Sequence, residues 1–322
     1  MTKKILVAGG GGYVGTSLAP ALAARGHDVK VADLFWFGNH LPHEIATEKH
    51  DFFSLTPDDL SGFDVLVFLA GLSNDPMAAF SPRMNFIANT AGPVFLAHQA
   101  KTAGVRRFIH GGTCSVYGFA DNTAMNEDSP TMPAFPYGVS KLAGERGVLA
   151  LADDKFEVVG FRKGTVCGHS PRMRFDLVVN AMVKDAFTKG AIAVDDPALW
   201  RPILSVDDCV HAYIQATEGD SGQQGIFNVG SVNIQIGALA TQVALVLTDE
   251  YGLRPDVITL GRANPRSYRV SWHRASAILG YTPFDGIAEI VRSIADRIKI
   301  YGDLEDRTYY NIRTFKHLGV GA

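Results

Sequence analysis

The chain has 322 residues, 47% of them hydrophobic and 20% charged, with a formal net charge of -3. That composition excludes a disordered chain and leaves room for one large core or two lobes. It also lacks the excess of Lys and Arg on which attraction to a phosphate backbone depends, so nucleic acid is not an expected partner.

The start, Met1-Thr2-Lys3-Lys4, runs into an apolar strand of about six residues, too short for a signal peptide core or a membrane span. A cytoplasmic location with no membrane partner is expected. Cys114, Cys167 and Cys209 are odd in number and widely spaced, with no C-x-x-C pair, so neither a disulfide framework nor a metal site is expected.

The apolar run Ile5–Ala8 predicts a strand and ends in Gly9-Gly10-Gly11-Gly12-Tyr13-Val14-Gly15, with helical periodicity over Leu18–Arg25. Gly9, Gly12 and Gly15 have G-x-x-G-x-x-G spacing. Such glycines let the backbone turn tightly, bring a pyrophosphate up to a helix N-terminus and let helix pack on strand. A tight turn with no ligand is the alternative. The next run, Val29–Ala32, ends in Asp33, roughly twenty residues on, where a carboxylate bonds adenosine ribose hydroxyls. Its charge repels a 2'-phosphate, so NAD is expected over NADP; a solvated turn acid is the alternative.

Val65–Leu69 predicts a further strand, followed by Leu72-Ser73-Asn74-Asp75-Pro76. Ser73 and Asn74 are substrate candidates, although these are also favoured turn residues. Helical periodicity over Val94–Ala103 leads to a strand at Phe108–His110 and then Gly111-Gly112-Thr113-Cys114-Ser115-Val116-Tyr117-Gly118. Tyr137-Gly138-Val139-Ser140-Lys141 opens another helix-like stretch, and residues four apart share a face, so Tyr137 and Lys141 can reach one cleft. A phenol is a poor base at neutral pH, but a neighbouring ammonium and a bound positive nicotinamide would favour the phenolate. Tyr137 is then a usable general acid/base, with Thr113 on the reacting oxygen.

Val158–Phe161 predicts the next strand, and the alternation of strand and helix predicts an α/β fold with a Rossmann-type, doubly wound parallel sheet. From about Gly164 the pattern changes, punctuated by Pro171, Pro197, Pro202, Pro255, Pro265 and Pro283. A smaller C-terminal substrate-binding lobe is expected there. The division is 1–163 and 164–322, with some later elements returning to the first part and a cleft between the two.

Together these motifs resemble the NAD-dependent sugar-nucleotide epimerase/dehydratase family of extended short-chain dehydrogenases/reductases, over essentially the whole chain. The matching pieces are the Gly9/Gly12/Gly15 turn with Tyr13 and Val14, Asp33, His50-Asp51-Phe52, Leu69-Ala70-Gly71, Asn89 in Asn89-Thr90-Ala91-Gly92, Thr113–Gly118, and Tyr137 with Lys141. The resemblance implies a catalytic trio of Thr113, Tyr137 and Lys141, with Lys141 also holding the nicotinamide ribose. Asp51 and Phe52 would lie on the adenine side. Gly111-Gly112 stands where members often have Ser-Ser, which removes an accessory hydroxyl.

In the second half, isolated arginines beside turns suit a diphosphate, which guanidinium binds bidentately, or else simply solvate the surface. By resemblance, Asn180 and Arg201 clamp the sugar-nucleotide diphosphate, together with Arg262 or Arg266. Thr165 is placed at the sugar phosphate and Ser115 beside the sugar.

The family's shared opening step takes a proton and a hydride from a sugar C4 hydroxyl. Dehydratases tend to carry an Asp-Glu pair directly after the catalytic threonine, and decarboxylases a Glu at the second of those positions; here they are Cys114 and Ser115. Asp33 leans against NADPH-linked reductases. A C4 epimerase is expected, with a 4-dehydrogenase or 4-keto reductase as the near alternative and a non-catalytic NAD-binding regulator as the remote one. The resemblance also implies a homodimer through the helix of Tyr137, whose other face bears Leu142, Val148 and Leu149, and the helix after Asn89.

Overall fold

A computed structural model describes residues 2–118, 123–261 and 267–321. The apolar runs of the first half form one sheet: β1 (Lys4–Ala8), β2 (Asp28–Asp33), β3 (Ala46–Lys49), β4 (Val65–Phe68), β5 (Arg107–Gly111), β6 (Glu157–Lys163) and β7 (Gly225–Val229). Their spatial order is β3-β2-β1-β4-β5-β6-β7 and every neighbouring pair is parallel. This is the order of a doubly wound dinucleotide fold with one strand added. All of β4 and β5 is buried, as expected of parallel strands covered by helices on both faces. The strands expected in the first half all fall within this sheet.

Two strands of this sheet lie outside the apolar runs of the first half, and β7 is one of the later elements expected to return to it. β3 is an exposed edge, Ala-Thr-Glu-Lys, held by pairing with β2 and by Lys30 Nζ to Glu48 Oε1 at 2.7 Å. β7 comes from the second half of the chain and lies parallel to β6. The remaining strands form small sheets: Thr165–Cys167, Trp200–Ser205 and Val232–Gln235 in one, Ala191–Val194 with Asp256–Thr259, and Ala124–Met125 with Arg269–Val270. One apolar cluster joins Ile5, Val31 and Phe161 of the large sheet to Val183, Leu204 and Ile290, so the two halves share a core.

Four helices frame the site: α1 (Gly15–Ala24), α2 (Gly92–Thr102), α3 (Pro136–Leu149) and α4 (Asn311–Leu318). Glycine brings α3 against its neighbours. A Cβ on Gly144 would stand 2.2 Å from Asn89 O, and one on Gly147 2.4 Å from Val94 Cγ2. Leu142 and Val148, assigned above to a subunit interface, are buried in the protomer's own core instead. The helix turns that face to its own sheet. Near the C-terminus, α4 returns to the first half, where Phe315 meets Trp36 edge-on at 4.9 Å and stacks with Phe37 at 6.0 Å.

Candidate active site

A cavity of about 420 Å³ opens where β1, β4 and β5 end, walled on the far side by segments from the second half. Its first wall is the glycine turn. Gly9 takes φ +81°, and a Cβ there would stand 2.3 Å from Ala70 N; one on Gly15 would stand 2.4 Å from Gly10 Cα. These two glycines make the turn possible. A Cβ on Gly12 would meet only Gly9 O, at 3.4 Å, and would project into the cavity that Gly12 lines. Tyr13, Val14 and Gly15 line it too. No side chain caps α1 and its first turn holds no acid, so its N-terminal dipole faces this space.

Asp33 stands beside the turn. Its Oδ2 accepts from Gly11 N at 2.9 Å and its Oδ1 from Phe35 N at 2.7 Å, which leaves each oxygen a lone pair for a further donor. Burial pushes its carboxyl up, against the pull of those N–H groups. An uncapped helix start, a glycine with room before it and a carboxylate with spare acceptors together fit the pyrophosphate and adenosine ribose of a dinucleotide.

The second group of side chains comes from β5 and α3. Thr113 follows β5 in an extended conformation, its Oγ1 donating to Ser115 Oγ at 3.1 Å and accepting from Ser115 N at 3.2 Å. Pro136 starts α3 at no cost in hydrogen bonds. Tyr137 and, one turn on, Lys141 then both line the cavity with Thr113 and Ser115. Burial pushes Tyr137 up to about 12, opposed by a hydrogen bond with the Thr113 side chain and by the Arg174 guanidinium. Lys141, expected to act as the neighbouring cation, donates from Nζ to Gly111 O at 3.2 Å, and burial, aided by Lys163, pushes it down to about 7. Cys114 turns away: its thiol donates to Arg162 O at 3.1 Å, and burial pushes its pKa up.

Other expected contacts divide sharply. Leu69, Gly71, Ser73, Asn74 and Thr165 line the cavity. Asn74 takes φ +75°, a conformation costly for a residue with a side chain, and its Oδ1 caps the helix Asp75–Phe80 by accepting from Met77 N at 3.0 Å. Both readings of this turn therefore have an observation behind them.

Asp33, Ala70, Asp51, Phe52, Asn89, Asn180 and Arg201 do not line the cavity. Ala70 is the backbone against which Gly9 packs. Asp51 caps the short turn Phe52–Ser54 by accepting from Phe53 N at 3.0 Å, and Phe52 packs edge-on to Phe68 at 5.4 Å. Asn89 is fully buried: Oδ1 accepts from Leu72 N at 3.1 Å, while Nδ2 donates to Leu72 O and Asn85 Oδ1, each at 2.9 Å. It fixes the Gly71-Leu72 turn from behind. Asn180, also fully buried, accepts from Gly168 N at 2.9 Å and donates to Tyr13 OH at 2.9 Å and Arg174 O at 2.7 Å. Its amide is spent on the protein. Arg201 donates to Trp200 O at 2.8 Å and lies over Tyr268, behind that cavity-lining ring. Arg262 and Arg266 lie outside the described residues.

Lys163, Tyr268 and Asn311 on the far wall carry no signal in the sequence, while Arg172, Arg174 and Asp176 fall in the arginine-bearing segment 170–180 without an individual role assigned from the sequence. A signal for two of them exists in Arg172-Met173-Arg174-Phe175, where guanidiniums alternate with apolar residues and all four are buried. Lys163 Nζ donates to Tyr213 OH at 3.1 Å, and burial pushes it down. Among the described residues there is no cluster of metal-ligating side chains, and no helix is long and apolar enough to cross a membrane.

Residues 5–230 match the NAD dependent epimerase/dehydratase family. The UDP-glucose 4-epimerase of Mycolicibacterium smegmatis is 29% identical over 306 residues, 89% of this chain and 95% of that protein. The UDP-glucose 4-epimerase of Corynebacterium glutamicum is 26% identical over 301 residues, covering 87% and 91%. The solved structure of MoeE5 in complex with UDP-glucuronic acid and NAD superposes with a TM-score of 0.81 at 25% identity, over 92% of this chain and 99% of that one. TunA, a NAD dependent NDP-hexosamine 5,6-dehydratase, superposes equally well at 0.81 and 25%, over 95% and 100%.

Proposed function

Because the chain belongs to the NAD-dependent epimerase/dehydratase family, we propose that it is an epimerase that inverts C4 of a sugar nucleotide through a 4-keto sugar. The observation that carries this reading is the convergence of the Thr113 and Tyr137 hydroxyls on one cavity wall, beside an uncapped glycine turn, with no acid in the two positions after Thr113. Bound NAD supplies the hydride acceptor at C4 and, once reduced, the donor. Tyr137 takes the proton of the C4 hydroxyl and later returns it to the same oxygen, while Thr113 bonds that oxygen. Arg174 favours the phenolate. Lys141 holds the nicotinamide ribose, Asp33 the adenosine ribose, and Gly12 with the start of α1 the pyrophosphate. Ser73, Asn74, Ser115 and Thr165 contact the sugar nucleotide.

The similarity to two UDP-glucose 4-epimerases makes a UDP-hexose the substrate class of first choice. The equal likeness to a dehydratase means that the fold alone does not choose the reaction. Cys114, turned to Arg162 with its thiol pKa raised, cannot serve as the acid of a dehydratase pair. The same reading includes a substrate-binding part in 164–322 that lends β7 to the first sheet, a cytoplasmic location, and a homodimer. Val139 on α3 and Phe86 and Ile87 just before α2 are exposed and suit that dimer surface better than Leu142 or Val148. Sedimentation as a monomer at micromolar concentration would remove the dimer.

The deciding assay incubates the protein with UDP, GDP, CDP and dTDP sugars and separates the products. Interconversion of C4 epimers with no net change in NADH absorbance is expected. NADH accumulating in step with a ketosugar would make it a dehydrogenase instead.

A further inference from the structure

Arg172 lines the cavity, yet it is only 3% exposed. Three other buried arginines each hold a carboxylate: Arg107 with Glu157, Arg162 with Glu145 and Arg174 with Asp176. Arg172 has no ion pair among the described residues. Its Nη2 donates to Asn311 Oδ1 at 2.6 Å, its guanidinium lies 3.7 Å over the centre of the Phe37 ring, and its Nε has no partner. Asp176 and Asp33 act on its charge only from a distance, and a buried guanidinium with no contacting carboxylate and an idle N–H is costly unless an anion joins it. Burial and Arg174 lower its pKa to about 9, in keeping with that missing charge.

The position selects the anion. Arg172 N donates to Thr16 Oγ1, in the first turn of α1, at 3.4 Å, and Asp33 is close enough to act on its charge. Gly12, Gly15 and Phe37 line the same cavity. Two independent features, an uncapped helix N-terminus and a buried unpaired guanidinium, therefore face one space. Asn311, which orients the guanidinium, is the first residue of α4, and Phe315 of α4 packs against Phe37.

We propose that Arg172, set in place by Asn311 of α4, binds a phosphate of the dinucleotide, so that the C-terminal helix forms part of the cofactor site. This rests on the NAD reading above. The sugar nucleotide also carries a diphosphate, but Tyr137 and Thr113 hold its sugar near the end of β5, whereas Arg172 stands against α1 and Asp33.

Titration calorimetry of the full chain with NAD, ADP-ribose and UDP separates these cases. Arg172→Gln should weaken NAD and ADP-ribose by about ten- to a hundredfold, the range for a charge-assisted hydrogen bond, and leave UDP unchanged. Arg172→Lys should recover part of the loss. Asn311→Asp gives the guanidinium a carboxylate through the Nη2 contact it already has, so its charge no longer awaits a phosphate; NAD should bind more weakly while the arginine and the melting temperature are retained. This second variant decides the matter if Arg172→Gln does not fold. NAD binding at parental affinity in both variants overturns the proposal, as does a loss confined to UDP. If the parent protein itself binds no NAD, the cofactor reading falls, and the role of Arg172 with it.

Discussion

The wall of the cavity built by the glycine turn, β5 and α3 contrasts with the wall built by residues 163–178, Tyr268 and Asn311. In the first, each side chain follows within a few residues of a strand end or helix start, and backbone geometry dictates residue type: Gly9 must adopt φ +81°, and Gly15 must let Gly10 approach. In the second, neighbours come from distant parts of the chain, as where Asn311 Nδ2 donates to Ser73 Oγ at 3.3 Å across 238 positions. The first wall is specified by local stereochemistry, and the second by packing and charge compensation.

Three substitutions probe that division. The largest effect is expected at Tyr137: Tyr137→Phe keeps the ring and removes the proton carrier, so turnover should fall by about 10²–10⁴-fold while NAD binding and melting temperature stay unchanged. Parental turnover of the identified substrate would break the assignment. Next come the glycines, which separate turn-making from ligand-facing positions. Gly15→Ala drives a Cβ into Gly10 backbone and should destabilise the fold by about 1–3 kcal/mol or more, seen as a lower melting temperature. Gly12→Ala should melt as the parent does yet bind NAD about tenfold more weakly, because its methyl fills ligand space. Equal melting temperatures for the two variants would deny the distinction.

The smallest effect concerns Lys141. Its folded pKa, about 7, lies below the ordinary 10.5. Between those values the unfolded chain binds a proton at this residue that the folded chain does not, so its contribution to stability rises with pH. Lys141→Met removes that slope. Thermal melts at neutral and at alkaline pH should show the parent gaining more than the variant; an equal gain would mean that Lys141 titrates normally.

Legibility in the sequence followed the same division. β1, β2, β4, β5 and β6 were readable because apolar runs mark strands buried on both faces, whereas β3 is a polar edge whose pairing, not its composition, makes it a strand. Thr113, Tyr137 and Lys141, singled out by spacing, all line one cavity, whereas the pull of Arg174 on the phenol comes from a residue distant in the chain. Asn180 and Arg201 are expected ligand contacts by resemblance; the Asn180 amide is spent on Gly168, Tyr13 and Arg174, while Arg201 gives one of its five N–H groups to Trp200 O. Nothing local distinguishes the two outcomes. Arg172 stands among the arginines that suit a diphosphate by sequence, but only the fold reveals that no carboxylate contacts it.

The contact between Ser73 and Asn311 also bears on how the molecule assembles. Loop closure across 238 positions costs only modestly more free energy than closing a βαβ crossover, but contacts so far apart in sequence form later than a helix or a βαβ unit. The parallel sheet can therefore collapse into native-like order while the far wall is still open. On this kinetic view, a refolding chain recovers its circular dichroism first and acquires a closed cavity later, when α4 docks onto Trp36 and Phe37.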